Sequence, residues 1–215
     1  MKKGYFVTGT DTSVGKTYAM VELLNYFNER SMKTAALKPI ASGSEKTPNG
    51  LQNQDALQLM EAMSMKFAYE QVNPFAFELP LAPHLAASPL KLTVSETMRA
   101  CRAVLSSDYD VVFIEGAGGW LVPLNDQETF ADLAAAFGLS IILVVGLRLG
   151  CLNHALLTYE NIKSRQLPLA GWIVNHLDST MLSQKENIKT LETLFAMPPL
   201  GVIPYNGRFQ AQTEF

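Results

Sequence analysis

Cysteine is scarce in this 215-residue chain. There are two, Cys101 and Cys151, far apart, with no CxxC pair and no Cys/His ligand spacing. Neither a disulfide framework nor a structural zinc site is expected, and both read as free thiols. Histidine is equally sparse, at three scattered positions. An excess of charge is also missing. The formal net charge is -3, which gives no field to gather nucleic acid or anionic lipid. No apolar run approaches the ~18 to 20 residues that cross a bilayer, the nearest being residues 141–145. Met1-Lys2-Lys3 is basic, but the apolar stretch behind it is too short for a signal-peptide core. No nucleic acid, no membrane and a cytoplasmic location are therefore expected. Repeats and low-complexity tracts are absent too.

Apolar side chains are plentiful, at 48% of residues against 17% charged. At this length that is enough to bury one core, and a single domain over residues 1–215 is the expectation. Short, mostly continuous apolar runs at residues 5–8, 34–38, 111–115, 141–145, 170–174 and 200–203 fit parallel strands buried on both faces. Between them, helical spacing occupies residues 16–28, 55–63, 95–105, 130–137, 153–164 and 182–195. The βα alternation predicts an α/β fold with three layers, a mostly parallel sheet flanked by helices. Residues 41–92 break that rhythm with scattered glycines and prolines. Loops of that length usually build a site, and the stretch 72–85 reads equally well as a lid, an interface or a packed connection.

Gly9-Thr10-Asp11-Thr12-Ser13-Val14-Gly15-Lys16-Thr17 follows the first strand and opens the first helix, the setting a P-loop requires. Main-chain N–H groups of the loop and first helical turn meet phosphate oxygens, Lys16 reaches the β and γ phosphates, and Thr17 offers its hydroxyl to Mg²⁺. Five residues separate Gly9 from Gly15, one more than usual, and Thr10 occupies the ordinary first-glycine place. Mg²⁺ with ATP needs further oxygen ligands. Glu115 ends an apolar strand and is followed by Gly116-Ala117-Gly118-Gly119, which takes its carboxylate to the ligand-binding end of the sheet. Asp55 stands near a helix start, where an N-cap role competes with a metal role. Lys38, after the second strand, is placed to neutralise charge on a transferring phosphoryl group.

Asn175-His176-Leu177-Asp178 is similar to the Asn-Lys-x-Asp element of GTPases, with histidine replacing lysine. Guanine therefore stays open beside adenine, which an amide such as Asn175 can also bind. Pro204, Tyr205 and Asn206 follow the last strand beside the expected base. Gly150-Cys151-Leu152-Asn153-His154 begins a helix whose free N–H groups suit an anion, or simply face solvent.

The phosphate loop, the segment Lys38-Pro39-Ile40-Ala41-Ser42-Gly43-Ser44, the Glu115–Trp120 loop and the helix start at Gly150 occur together and in order. On these residues the chain resembles the dethiobiotin synthetase family over essentially its whole length. The resemblance implies a homodimer that uses ATP to close a cyclic urea from 7,8-diaminopelargonate and CO₂, releasing ADP and phosphate. It implies Thr17, Asp55 and Glu115 as Mg²⁺ ligands, and Lys16 and Lys38 as the catalytic lysines around phosphates and carbamate. Thr12, Ser13, Val14, Gly15, Lys16 and Thr17, with Gly116, Ala117 and Gly118, would line the nucleotide. Asn175 and His176, with Pro204, Tyr205 and Asn206, would lie at its base. Ser42 would touch the substrate, and Gly150, Cys151, Leu152 and Asn153 would receive the substrate's distant carboxylate across the dimer interface. Ser13 stands where some members carry glutamate, and His176 where aspartate is common.

Three other readings compete on the residues alone. A partner-switching P-loop ATPase or GTPase is opposed by Asp11 and Thr12, which stand where such proteins carry a second lysine. An amidoligase or kinase for another small carboxylate would share the phosphate chemistry, and a non-catalytic nucleotide-binding subunit would leave Lys38 and Glu115 without a task.

Overall fold

The computed structural model describes residues 2–215. The chain runs β1 (Lys3–Gly9), α1 (Lys16–Asn28), β2 (Thr34–Leu37), β3 (Ile40–Ala41), β4 (Glu45–Thr47), β5 (Gly50–Gln52), α2 (Gln54–Ala62), α3 (Tyr69–Val72), β6 (Phe75–Ala76), α4 (Pro83–Ala86), α5 (Val94–Ala100) and α6 (Arg102–Leu105). It continues with β7 (Val111–Glu115), α7 (Phe130–Phe137), β8 (Ser140–Leu147), α8 (Cys151–Ser164), β9 (Leu169–His176), α9 (Gln184–Phe195), β10 (Gly201–Ile203) and β11 (Gln210–Ala211). Seven strands form one sheet in the order β11-β10-β9-β8-β1-β7-β2. All its pairings are parallel except the last, β10 with β11.

The period-2 alternation of a strand explains how both faces are filled. Tyr5 and Val7 of β1, with Val111 and Phe113 of β7, pack into one cluster with Met20, Leu23, Leu24 and Phe27 of α1. Phe6, Val112 and Ile114 point the other way, against Phe130, Ala131, Leu133 and Ala134 of α7. Leu143, Val145, Trp172 and Val174 join α8 and α9 in a third cluster. The six expected strands and six expected helical stretches all occur, and the three-layer expectation holds.

Boundaries differ where capping decides them. The stretch 95–105 is two short helices, because Cys101 flattens to ψ -8° between them. Helix α8 begins at Cys151 rather than 153, after Gly150 in a left-handed conformation. Helix α2 is capped by Asn53, whose side chain accepts the Asp55 N–H. The cap role that competed for Asp55 thus belongs to Asn53, and the Asp55 carboxylate is released for other work. Residues 41–92 carry more order than their composition suggests. Besides the expected helix α2 they form the β4–β5 hairpin, β6 paired with β3, and the short helices α3 and α4.

The strand order reverses beside β1, which carries β7 and β2 on one side and β8, β9 and β10 on the other. In open parallel sheets ligands bind outside the carboxyl ends of the strands at such a point. β7 lies between β1 and β2, so Glu115 at its end is flanked by the phosphate loop and by Lys38.

Candidate active site

A cavity of about 430 Å³ opens at that point, lined by Thr12, Ser13, Gly15, Lys16, Thr17, Tyr18, Lys38, Ala41, Ser42, Asn53, Asp55, Gln58, Glu115, Ala117 and Gly118. Its first wall is the phosphate loop. Gly15 sits at φ 82°, and a Cβ there would lie 2.1 Å from Asn175 Nδ2, so the position demands glycine on conformation and on space. A Cβ at Gly9 would meet Val14 Cγ2 at 2.6 Å. Thr10 is not among the positive-φ positions, which is why a threonine is tolerated in the ordinary first-glycine place. Ser13 does adopt φ 57°, a left-handed conformation of the kind that clusters at functional loops.

Lys16 is the first residue of α1 and is 7% exposed, with Nζ 3.0 Å from the Asp11 carbonyl it donates to. Burial, and next the nearby Lys38 ammonium, lower its pKa to about 8, against the opposing pull of Glu115, Asp55 and Asp11. Lys38 Nζ lies 2.5 Å from Glu115 Oε1 and 3.3 Å from Asp55 Oδ2. Burial acts to lower the Lys38 pKa, but the two carboxylates outweigh it and the net shift is upward. Lys38 therefore holds its proton, whereas Lys16 holds its own only below about pH 8. Thr17 Oγ1 donates to the same Glu115 oxygen at 2.8 Å. Glu115 is 1% exposed and its second oxygen, Oε2, is buried without a hydrogen-bond partner. Thr17 of α1, Lys38 just past β2, Asp55 of α2 and Glu115 of β7 thus meet in one cluster.

The other expected residues are not in the cavity wall. Val14 is 1% exposed, packed behind the loop, and Gly116 lies against Phe6 while its carbonyl faces Lys38 Nζ at 3.5 Å. Asn175, at the end of β9, donates from Nδ2 to the Val14 carbonyl at 2.9 Å and braces the phosphate loop from behind. His176 Nδ1 is 2.6 Å from Gln184 Oε1. Pro204, Tyr205 and Asn206 form the turn after β10. Tyr205 is 51% exposed, and the turn is held to α1 because the Tyr18 hydroxyl donates to the Gly207 carbonyl at 2.9 Å. Gly150, Cys151, Leu152 and Asn153 start α8 with no side-chain cap.

Sequence reasoning missed Tyr18, Ala41, Asn53 and Gln58 in the wall. Asn53 was legible as an asparagine just before a helical stretch, and Gln58 as the residue three beyond Asp55 on the same helix face. It also missed Arg148, which ion-pairs with Asp11 of the phosphate loop and carried no motif to mark it.

A phosphate loop between a parallel strand and a helix, at the switch point of a mostly parallel sheet, defines a P-loop nucleotide-binding protein. Solved structures agree on the fold. The septum site-determining protein MinD from Pyrococcus horikoshii, complexed with Mg-ADP, matches with a TM-score of 0.58 at 16% identity, over 95% of this chain and 82% of that one. A ParA family ATPase from Chlorobium tepidum matches with a TM-score of 0.54 at 13% identity, over 94% and 84%. The AAA domain family model matches residues 3–213.

Relatives of similar length narrow the class. The chain is 48% identical to the ATP-dependent dethiobiotin synthetase BioD of Cellvibrio japonicus over 205 residues, 94% of this chain and 90% of that protein. It is 44% identical to the protein of the same name in Aeromonas hydrophila over 207 residues, 95% and 92%. The chain belongs to the dethiobiotin synthetase family.

Proposed function

We propose that the chain is an ATP-dependent carbon–nitrogen ligase that forms dethiobiotin from 7,8-diaminopelargonate and CO₂, with release of ADP and phosphate. The observation that carries this reading is the Lys38–Glu115–Asp55–Thr17 cluster facing a phosphate loop, in a chain 43–48% identical to named dethiobiotin synthetases. One substrate amine adds to CO₂ and loses a proton, giving a carbamate. A carbamate oxygen then takes the γ-phosphoryl group as ADP leaves. The second amine attacks the carbonyl carbon, phosphate departs with the C–O electrons, and the nitrogen's surplus proton passes to solvent as the ring closes. Activation matters because an oxide is a poor leaving group and phosphate a good one. Ring closure gains because the attacking amine belongs to the same molecule.

This chain's residues act on charge and position. Lys16 and the loop N–H groups hold the β and γ phosphates. Lys38, buried and protonated, stands where negative charge develops between carbamate and phosphoryl group, and the preorganised ammonium stabilises it there. Ser42 contacts the substrate, and Thr12, Ser13, Val14, Gly15, Gly116, Ala117 and Gly118 surround the nucleotide. His176 and the Pro204–Tyr205–Asn206 turn lie toward the base, and Asn175 braces the phosphate loop beside them. The donor set Thr17, Asp55 and Glu115 is all oxygen, which fits Mg²⁺, and the unpartnered Glu115 Oε2 is an oxygen free to serve it. Bound there, Mg²⁺ would neutralise phosphate charge.

The homodimer belongs to the same proposal. Leu149 and Leu157, beside and on α8, are 98% and 64% exposed, and a partner seated on this face would bring its Gly150–Asn153 helix start to the substrate's carboxylate. Among the described residues no helix is long and apolar enough to cross a membrane, and the proposed location is the cytoplasm. On this reading residues 1–215 work as one catalytic domain. The deciding experiment measures ADP release with Mg²⁺ and ATP, with and without 7,8-diaminopelargonate and bicarbonate. Release that requires both, with one cyclic urea per ADP, is expected. Release indifferent to both would sink the substrate assignment.

A further inference from the structure

A chain of buried and half-buried hydrogen bonds runs behind the cavity wall, and the reaction above makes no use of it. The Asn53 main-chain N–H donates to the Tyr69 hydroxyl at 2.7 Å, and that hydroxyl donates to Asn73 Oδ1 at 2.7 Å. Asn73 Nδ2 donates to the Lys38 carbonyl at 2.6 Å. At the far end Asn53 Nδ2 donates to the Ser42 carbonyl at 3.3 Å, while Asn53 Oδ1 accepts the Asp55 N–H at 3.1 Å. Asn53 is 6% exposed and Asn73 is 2% exposed.

The direction of the chain is forced. A main-chain N–H only donates, so the Tyr69 oxygen accepts it and sends its single proton to Asn73 Oδ1. The Asn73 amide is thereby oriented with Nδ2 toward Lys38. This matters because Lys38 lies past the end of β2, an edge strand with β7 as its one neighbour, and no sheet ladder holds its peptide. Both of its main-chain groups are instead tied to the α3 segment: the carbonyl to Asn73, and the N–H to the Val72 carbonyl at 3.0 Å. The same network reaches the first turn of α2, where Asp55 stands. Lys38 and Asp55 come from elements that share no ladder, and this network connects their backbones.

We infer that Tyr69 and Asn73 are positioning residues that set Lys38 against Asp55 and Ser42. Neither touches the reacting atoms; both act through the Lys38 peptide. The kinetic part of this inference rests on the proposed ligase reaction, whereas the structural part does not.

The test uses the full chain with Tyr69→Phe, Asn73→Leu and both together. Turnover, affinity for a non-hydrolysable ATP analogue and hydrogen exchange of the peptides covering residues 37–44 and 10–17 are measured. A misplaced reacting group costs up to about a hundredfold in rate, and a partial loss of about tenfold in kcat is expected for Tyr69→Phe. Analogue affinity should stay within about twofold, because the phosphate loop is untouched. Exchange should quicken in 37–44 and not in 10–17. Because the residues form one series, the double variant should be no slower than the poorer single variant. The inference is overturned by turnover within about twofold of wild type in both single variants, by losses that multiply in the double variant, or by equal loss of turnover and analogue binding. If one variant does not fold, the other decides. A wild-type protein that forms no cyclic urea sinks the ligase reading, and the exchange pattern then decides the network separately.

Discussion

On the β7 and β2 side of the phosphate loop, functional side chains converge within hydrogen-bond distance, as Lys38, Glu115, Asp55 and Thr17 do. On the β8, β9 and β10 side the expected residues stand outside the cavity wall, as the Gly150 helix start, His176 and the Pro204–Asn206 turn do, and the contacts made there, Arg148 with Asp11 and Asn175 with the Val14 carbonyl, hold the loop from outside. The contrast follows from what each side must meet. Charge on a transferring phosphoryl group needs preorganised cations in a dry place, and such a cluster is built within one chain. On the proposed reading a nucleoside base and a distant substrate carboxylate would be met by rims and helix ends, which tolerate exposure and can be shared between copies.

The largest effect should come from the converged side. Lys38→Ala is expected to lower kcat about 10² to 10³-fold, with nucleotide affinity within a few-fold, as read by ADP release and equilibrium binding. Wild-type-like turnover would remove Lys38 from the chemistry. The same change leaves Glu115 buried without its cation, so a lower melting temperature is also expected. Next comes the exposed side. Dilution or an α8 surface change such as Leu157→Lys that yields monomers should remove most cyclic urea formation; a fully active monomer by sedimentation and kinetics would refute the shared site and make the two sides equal.

A smaller effect is tied to Lys16. With its pKa near 8 and only the ammonium form binding phosphate, apparent nucleotide affinity should weaken about twofold at pH 8 and about tenfold at pH 9. Titration of affinity between pH 7 and 9 checks it, and a flat profile would refute it. The stability sign is opposite to that of a lysine gaining a partner. Its folded pKa lies below the unfolded value, so below pH 8 the fold bears the full cost of the buried ammonium. That cost is relieved as pH rises from about 8 toward the unfolded value. Smallest should be Asn175→Ala. Loss of its bond to the Val14 carbonyl is worth about 1 kcal/mol, or roughly fivefold in nucleotide affinity. A change in base preference with unaltered phosphate affinity would instead move Asn175 from loop brace to base contact.

Local signals made much of this visible in advance. Helix α1 shows its buried positions 19, 20, 23, 24 and 27 at helical spacing, and β7 its unbroken apolar run ending in Glu115. Periods of 3.6 and 2 are properties of a short window, so they survive without knowledge of the partner surface. The phosphate loop was legible for the same reason, because its chemistry is carried by contiguous main chain. Asp55 was only half legible. Its place near a helix start was plain, but that Asn53 takes the cap while Asp55 turns to Lys38 depends on the path of the preceding loop. Order within residues 41–92 was hidden because two- and three-residue strands have too short a window for any period to show.

What the amino-acid order by itself determined was the succession of strands and helices, the phosphate loop, and which lysines and carboxylates stand at strand ends. Tertiary structure alone decided that β7, which begins at Val111 while β1 ends at Gly9, inserts between β1 and β2. That insertion brings Glu115 to 2.5 Å from Lys38. It also decided that Arg148 pairs with Asp11 and that Tyr69 and Asn73 stand behind Lys38. Such contacts join residues far apart along the chain, and their geometry exists only once the packing of both sheet faces has set the strand order.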